Sequence, residues 1–284
     1  MTKRTQKTKT SNAKSKSPEK SELENKSGSE KETVNQPLRK LRNSLKKDSF
    51  EPKNESQKRF LESIEENDIV FNIGSAGSGK TYAAVSYAIK ALVDRQSPYK
   101  RLVLVRPAME AGGERIGFLP GEKEDKMSPY MQPVYDVLGD YNLTRKDIEI
   151  LIEEEYIEIC PLAFMRGRSL NKCLVVIEES QNLSSALMEM LLTRLGNQTK
   201  FIFTGDITQR DFDDDRTPPG IEEAMMLFGK VKGIDFIFFQ SKEILRHGLV
   251  GAVVDSYAAL REKEKDKKDK MKEQKMNDAN KMIM

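Results

Sequence analysis

The sequence has no tryptophan, one histidine and two cysteines in 284 residues. Cys160 and Cys173 cannot build a disulfide framework, and a lone histidine beside them leaves no His/Cys cluster for zinc. No apolar run approaches the roughly 18–20 residues that a membrane span needs. The opening stretch, MTKRTQKTKTSNAKSKS, lacks the apolar h-region of a secretory signal. Secreted, membrane and zinc-dependent classes are set aside, and the expectation is a soluble cytoplasmic protein. Hydrophobic residues make up 37% and charged residues 33%, too polar for a chain folded throughout.

Charge is unevenly placed. Residues 1–50 carry 14 Lys/Arg against 6 Asp/Glu, residues 261–284 carry 9 against 6, and residues 51–260 carry 25 against 33. Basic ends therefore flank an acidic body. The stretch 1–50 has almost no large apolar residue before Leu38, so it cannot bury enough surface to offset its ordering entropy, and it reads as a disordered basic tail. Its charge suits an arm that touches nucleic acid or another polyanion, but Lys-rich tails are common and this one also carries Glu, which favours a solubilising tail. Residues 261–284 favour helix by propensity but lack an apolar heptad, so a solvated helix or disorder is expected there.

Between the tails, in residues 51–260, short apolar runs alternate with amphipathic segments. Strands are expected at 68–73, 102–105, 156–160, 174–177, 201–204 and 236–239. Helices are expected over 81–93, 146–154 and from a Ser184 cap to about Leu195, with Gly196 as the stop signal. This alternation predicts an α/β fold, a mostly parallel sheet with helices on both faces. The stretch from Ala108 to Val137, rich in Gly and Pro, reads as a long irregular excursion.

Gly74-Ser75-Ala76-Gly77-Ser78-Gly79-Lys80-Thr81 fits G-x-x-x-x-G-K-[ST] in full, and it sits between an expected strand and an expected helix. Glycines let successive backbone N–H groups face a phosphate, and the helix N-terminus adds favourable partial charge. Lys80 reaches the β- and γ-phosphates, and the Thr81 hydroxyl suits Mg2+. A second motif, Leu174-Val-Val-Ile-Glu178-Glu179-Ser180-Gln181-Asn182, runs an apolar strand into two carboxylates. Glu178 is the candidate support for Mg2+, and Glu179 is the candidate base that orients and deprotonates the attacking water. A third strand ends in Thr204-Gly-Asp-Ile-Thr-Gln209, where Gln209 is placed to sense the γ-phosphate. Other features read as structure: His247 as a hydrogen-bonded residue, Asp213–Asp215 as a solvated loop, Met188 and Met190 as core, and the cysteines as small apolar fillers.

The chain resembles the PhoH-like ATPase family, single-core P-loop proteins related to superfamily 1 helicase motor domains. The likeness spans about residues 52–260. Besides the phosphate loop it rests on Arg106-Pro107-Ala108-Met109-Glu110-Ala111-Gly112-Gly113-Glu114, on Ile116-Gly117-Phe118-Leu119-Pro120-Gly121, on Pro161–Leu170, on Thr204–Gln209 and on Leu245-Arg246-His247. Small basic-tailed versions occur in bacteriophages. The resemblance implies a RecA-like P-loop core that binds ATP with Mg2+ and acts in RNA metabolism. It also implies that Gln57 reads adenine. Because a helicase motor clamps the γ-phosphate between two cores and this chain has one, the resemblance implies a homo-oligomer, a ring that by analogy with related motors is a hexamer. Arg246 is then the first candidate for the arginine that completes a neighbour's site, with Arg166, Arg168 and Arg194 following.

One departure stands out. The family has Asp-Glu-Ala-Gln-Asn where this chain has Glu178-Glu179-Ser180-Gln181-Asn182, so the metal-supporting acid is one methylene longer. That keeps open an ATP-gated binding protein with little turnover. A small-molecule phosphotransferase is disfavoured, because a water-activating Glu179 is what a kinase should avoid.

Overall fold

In the computed structural model, residues 36–45, 50–75, 77–107, 132, 134–210, 219–239 and single positions between 249 and 271 are described. Helix α1 covers residues 36–45 and α2 Glu55–Glu66; strand β1 is Ile69–Gly74, α3 Lys80–Val93 and β2 Arg101–Arg106. Helix α4 covers residues 134–140. After it come α5 Arg145–Glu153, β3 Ile157–Pro161, β4 Cys173–Ile177, α6 Ser185–Leu192, β5 Lys200–Gly205, α7 Gly220–Phe228 and β6 Ile234–Phe239. The strands form one sheet in the order β3-β2-β4-β5-β1-β6, and every pairing is parallel.

Alternation along the strands divides the core between the two faces of the sheet, as expected for strands covered on both sides. Val70, Leu102, Leu104, Leu174, Val176 and Ile202 pack on one face with Ala84, Ala88 and Ile89 of α3 and Ile148 and Leu151 of α5. Phe71, Val103, Val105, Val175, Ile177, Phe201 and Phe203 pack on the other with Met188 and Leu191 of α6 and Ile221 and Ala224 of α7. The parallel register sets Phe71 beside both Phe203 and Phe236, and their rings stack at 4.4 and 4.6 Å. Stacked pairs of this kind add about 0.5–1.5 kcal/mol each beyond area burial.

Local signals explain several helix starts. Thr144 and Asp147 form a reciprocal capping box at α5, and Ser184 accepts from the Leu187 amide at α6. Helix α6 ends at Leu192, earlier than Gly196, because Thr193 and Arg194 turn their side chains back onto Met190.

Two expectations change. Part of the stretch expected to be disordered, 36–45, is helical. Leu38 and Leu41 are buried against the α3–α5 face, Arg42 caps the Val93 carbonyl, and Lys40 pairs with Asp147 at 2.7 Å. Two leucines and two specific cationic contacts supply what composition over fifty residues concealed. Helix α4 likewise begins inside the stretch expected to be irregular to Val137, with Val134, Val137 and Leu138 buried. Helices α2 and α7 escaped the sequence reading. Residues 1–35, 108–131 and 272–284 lie outside the described residues, and so do Ala76, Asp213–Asp215, Arg246 and His247.

Candidate nucleotide site

The site is built by register. β1 is paired with β5 so that Ile73 lies beside Gly205, and β5 with β4 so that Phe203 lies beside Ile177. The next residues outward are Gly74, Asp206 and Glu178. Three sequence motifs more than 130 residues apart at their extremes thus end on one edge of the sheet, where ligands of open α/β sheets bind. β2 is paired with β4 so that Val105 lies beside Ile177, which brings Arg106 to the same edge.

The phosphate loop leaves β1 at Gly74. A Cβ there would lie 2.6 Å from the Phe239 Cβ and 2.7 Å from its carbonyl oxygen, so only glycine permits the close approach of β6. Gly77 and Gly79 adopt φ of +84° and +80°, the left-handed region that glycine enters without cost. The turn closes through Ser78, whose hydroxyl donates to the Ser75 carbonyl at 2.9 Å. Lys80 folds back onto the loop, donating to the Gly74 and Ser75 carbonyls at 2.7 Å each. Those carbonyls hold the ammonium inside the loop.

Gln57 is buried, and its amide bridges two elements. Its oxygen accepts from the Lys53 amide at 2.8 Å, and its nitrogen donates to the Ser78 carbonyl at 3.3 Å. It therefore ties the start of α2 to the phosphate loop while lining the cleft.

The two carboxylates after β4 differ sharply. Glu178 is 6% exposed. Burial, reinforced by the charge of Glu179, pushes its carboxyl up to about 7, against the opposing pull of Arg106 and a hydrogen bond with Thr81. Glu179 is exposed and holds a φ of +48°, unusual for a residue with a side chain and a local strain that aims it. Its carboxylate accepts from the Gln181 amide at 2.7 Å and lies 3.8 Å from the Arg106 guanidinium.

Gln181 knits the site together. Its nitrogen also donates to the Gln209 carbonyl at 3.2 Å, and its oxygen accepts from the Asp206 amide at 3.1 Å. Gly205 is required here, because a Cβ would meet the Ser180 hydroxyl at 2.7 Å. Asp206 is buried and fixes the third motif, accepting from Thr208 at 2.7 Å and from the Gln209 side chain at 2.9 Å.

Arg106, Glu178, Glu179, Asp206 and Gln209 from these strand ends line a cleft of about 510 Å3. That falls within the range of small-ligand sites. Lys80, Thr81, Thr204, Glu178, Glu179 and Gln209 are among its lining residues. Phe50, Tyr82, Val137 and Asp140 also line it, with the rings of Phe50 and Tyr82 5.6 Å apart and the Tyr82 hydroxyl donating to Asp140 at 2.5 Å. No cluster of three His, Cys, Asp or Glu able to hold a metal occurs among the described residues. A buried carboxylate within reach of the Thr81 hydroxyl, which itself lies 3.5 Å from the Thr204 hydroxyl, is instead a partial donor set. It suits Mg2+, which takes few protein ligands and fills its shell with phosphate oxygens and water.

The structure thus brings Gln57, Gly77, Gly79, Lys80, Thr81, Glu178, Glu179 and Gln209 to one cleft, with Gly74, Ser75 and Ser78 bonded to Lys80 within the loop. Arg106, Gln181, Asp206 and the Phe50–Tyr82 pair were not among the residues expected from sequence. Arg106 carried the signal of a polar residue closing an apolar strand, and Asp206 lay inside a motif already noticed. Of the secondary arginine candidates, Arg168 is held by Glu158, and Arg194 is bonded to Met190, Arg168 and Thr193 of its own chain.

The family described as PhoH-like protein matches residues 49–258. A PhoH-like protein of Mycobacterium tuberculosis (strain ATCC 25618 / H37Rv) is 42% identical over 214 residues, covering 75% of this chain and 59% of the relative. One from Bacillus subtilis (strain 168) is also 42% identical over 214 residues, covering 74% and 64%, and the protein PhoH of Escherichia coli (strain K12) is 34% identical over 208 residues, covering 72% and 57%. The chain thus spans about three fifths of the length of these bacterial relatives. Among solved structures, the Pif1 helicase from Candida albicans aligns with a TM-score of 0.34 at 16% identity, over 67% of this chain and 40% of that one. With a phosphate loop, a strand-end acid pair and a family match over residues 49–258, this chain belongs to the PhoH-like protein family.

Proposed function

We propose that the chain hydrolyses ATP with Mg2+ and couples the cycle to single-stranded nucleic acid, RNA in the first place. The observation that carries the hydrolytic part is the buried Glu178 at the head of β4, beside Thr81 and next to an exposed Glu179. A buried carboxylate is costly unless a cation joins it. Glu178 and Thr81 would hold the Mg2+ of a bound nucleotide, which would supply that cation and draw charge from the phosphates. Lys80 and the loop amides hold the β- and γ-phosphates. Glu179 takes a proton from the attacking water, the bond from the γ-phosphorus to its bridging oxygen breaks, and ADP and inorganic phosphate leave. Gln209, whose side chain donates to Asp206, is the residue we assign to sensing the γ-phosphate. Phe50 and Tyr82 offer an aromatic wall to the base, and Gln57 sets the loop against it.

A second reading, an ATP-gated binding protein with little turnover, is favoured by one observation. Glu179 is engaged by both Gln181 and Arg106, so its carboxylate must be released before it accepts a proton. ATPase rates with and without single-stranded RNA separate the two. Hydrolysis that RNA stimulates supports the first reading, and tight ATP binding with negligible turnover in both conditions supports the second.

The single core also motivates a homo-oligomer, a ring of head-to-tail copies in which Arg246 of one copy meets the γ-phosphate bound by the next. Arginines supplied in trans contribute about 10³–10⁵ in rate in other NTPases. Mixing the inactive variants Lys80→Ala and Arg246→Ala should restore part of the activity, because an intact loop can then meet an intact arginine. A monomeric mass with no recovery removes this arrangement.

A further inference from the structure

The turn between β3 and β4 displays an aromatic side chain that the core does not use. Beyond Pro161 the chain makes one 3-10 turn, Leu162–Met165. In that geometry residues three apart share a side. Leu162 and Met165 are accordingly buried in the core, while Ala163 and Phe164 face outward. Phe164 is 68% exposed. Burying such a ring is worth about 1.5–3 kcal/mol, and on this turn the ring stays in water instead.

The turn is pinned from below. Arg168 grips Glu158 with two parallel hydrogen bonds of 2.6 and 3.0 Å, and Arg101 adds a third contact to the same carboxylate at 3.0 Å. The Arg168 amide donates to the Met165 carbonyl, and the Arg168 carbonyl accepts from Arg194. Phe164 therefore projects from a braced support. Next to it Arg166 is exposed, Gly167 adopts φ +77° with open space where a Cβ would lie, and Ser169 is exposed. Arg101 and Arg168 are both paired with Glu158, so Arg166 is the exposed cation beside the ring, on a body that is otherwise acidic.

The turn also has a defined place relative to the cleft. Pro161 pairs with Arg106 across the β3–β2 ladder, and Arg106 is the residue that faces Glu179. A ligand on the turn thus sits one strand from the guanidinium that engages the proposed base, on the edge of the sheet that holds the phosphate loop.

We propose that Phe164 is a stacking platform for an unpaired base and that Arg166 meets the adjoining phosphate, making this turn a contact site for single-stranded nucleic acid. The proposal rests on the nucleic-acid part of the function given above and assigns its place. Every base has a face to stack on an aromatic ring, and each such stack contributes enough that its removal weakens binding about 5- to 100-fold. A duplex keeps its bases stacked inside and offers none to Phe164. One ring and one guanidinium on one turn are also too little for a stable protein interface.

The test is fluorescence anisotropy of the full chain with a labelled single-stranded RNA of about 16 nucleotides, repeated with the matching duplex. Phe164→Ala should weaken single-strand binding by about tenfold, leave basal ATPase unchanged and raise the RNA concentration for half-maximal stimulation by the same factor, and Phe164→Trp should restore both. Arg166→Ala should weaken binding and lower the slope of log affinity against log salt by about 0.7. If the wild type binds no RNA, the nucleic-acid reading and this site fall together. If it binds and Phe164→Ala binds as well, the site alone is overturned. Equal dependence on Phe164 for the duplex overturns stacking, and a change of solution mass in Phe164→Ala reassigns the surface to a second copy of this chain.

Discussion

Glu178 and Glu158 belong to the same sheet but meet opposite surroundings. Glu158, on the edge strand, lies between the Arg168 fork and Arg101, and the Arg168 hydrogen bonds hold its carboxyl below the ordinary value. Glu178, at the head of a central strand, is nearly sealed from solvent, and burial raises its carboxyl to about 7. Arg106 lies close enough to oppose that rise but does not cancel it. A carboxylate whose countercharge is built into the chain braces a turn. One left without an adequate countercharge is where the proposed function puts the external cation.

The widest gap between the two regions should appear in turnover. Glu179→Gln should keep ATP binding but lower kcat by about 10²–10⁴, the usual contribution of a positioned base. Single-turnover assays check this, and wild-type hydrolysis in that variant would remove the assigned base. Glu158→Gln, by contrast, should leave basal hydrolysis close to wild type.

Stability should move in opposite directions at the two carboxylates. The Glu178 carboxyl is raised, so between its ordinary 4.5 and about 7 the folded state holds a proton that the unfolded state has lost, and stability falls across that window as pH rises. Glu178→Gln should therefore stabilise the nucleotide-free protein above pH 7, by about 1–3 kcal/mol, while weakening Mg2+-dependent ATP binding. Denaturant titrations at pH 5 and pH 8 test this, and equal effects at the two pH values would overturn it. Arg168→Ala should instead destabilise by about 1–3 kcal/mol. Because the Glu158 carboxyl is lowered, that difference should be present above its ordinary 4.5 and fade as the pH drops below it.

The smallest expected effect sharpens the comparison at one methylene. Glu178→Asp restores the family residue and should hydrolyse ATP at least as fast as the wild type. A collapse of Mg2+-dependent activity would show that the site is tuned to the longer acid.

Much of this was readable in residue order. The phosphate loop is contiguous, and its glycines, lysine and threonine act through their own backbone and immediate neighbours. Glu178 and Glu179 announced themselves as acids closing an apolar strand. The six strands were legible because each is a short apolar run, and their alternation with helices implied the parallel sheet. Leu38 and Leu41 were not legible, because two leucines in a basic, polar segment become a helix only when α3 and α5 offer a surface to cover. Gln57 was legible as a residue near the loop, but its bridge between the Lys53 amide and the Ser78 carbonyl depends on how α2 docks.

The sequence by itself determined the strand–loop–helix phosphate site, the acid pair and the parallel class, because each follows from local spacing and side-chain chemistry. The tertiary structure alone decided which strand ends meet, through a register that sets Gly74, Asp206, Glu178 and Arg106 on one edge. It also decided that Glu158 is paired while Glu178 is buried, and that Phe164 stands in water while Met165 beside it is sealed. Burial and pairing are properties of neighbours brought together by folding, and no spacing along the chain encodes them.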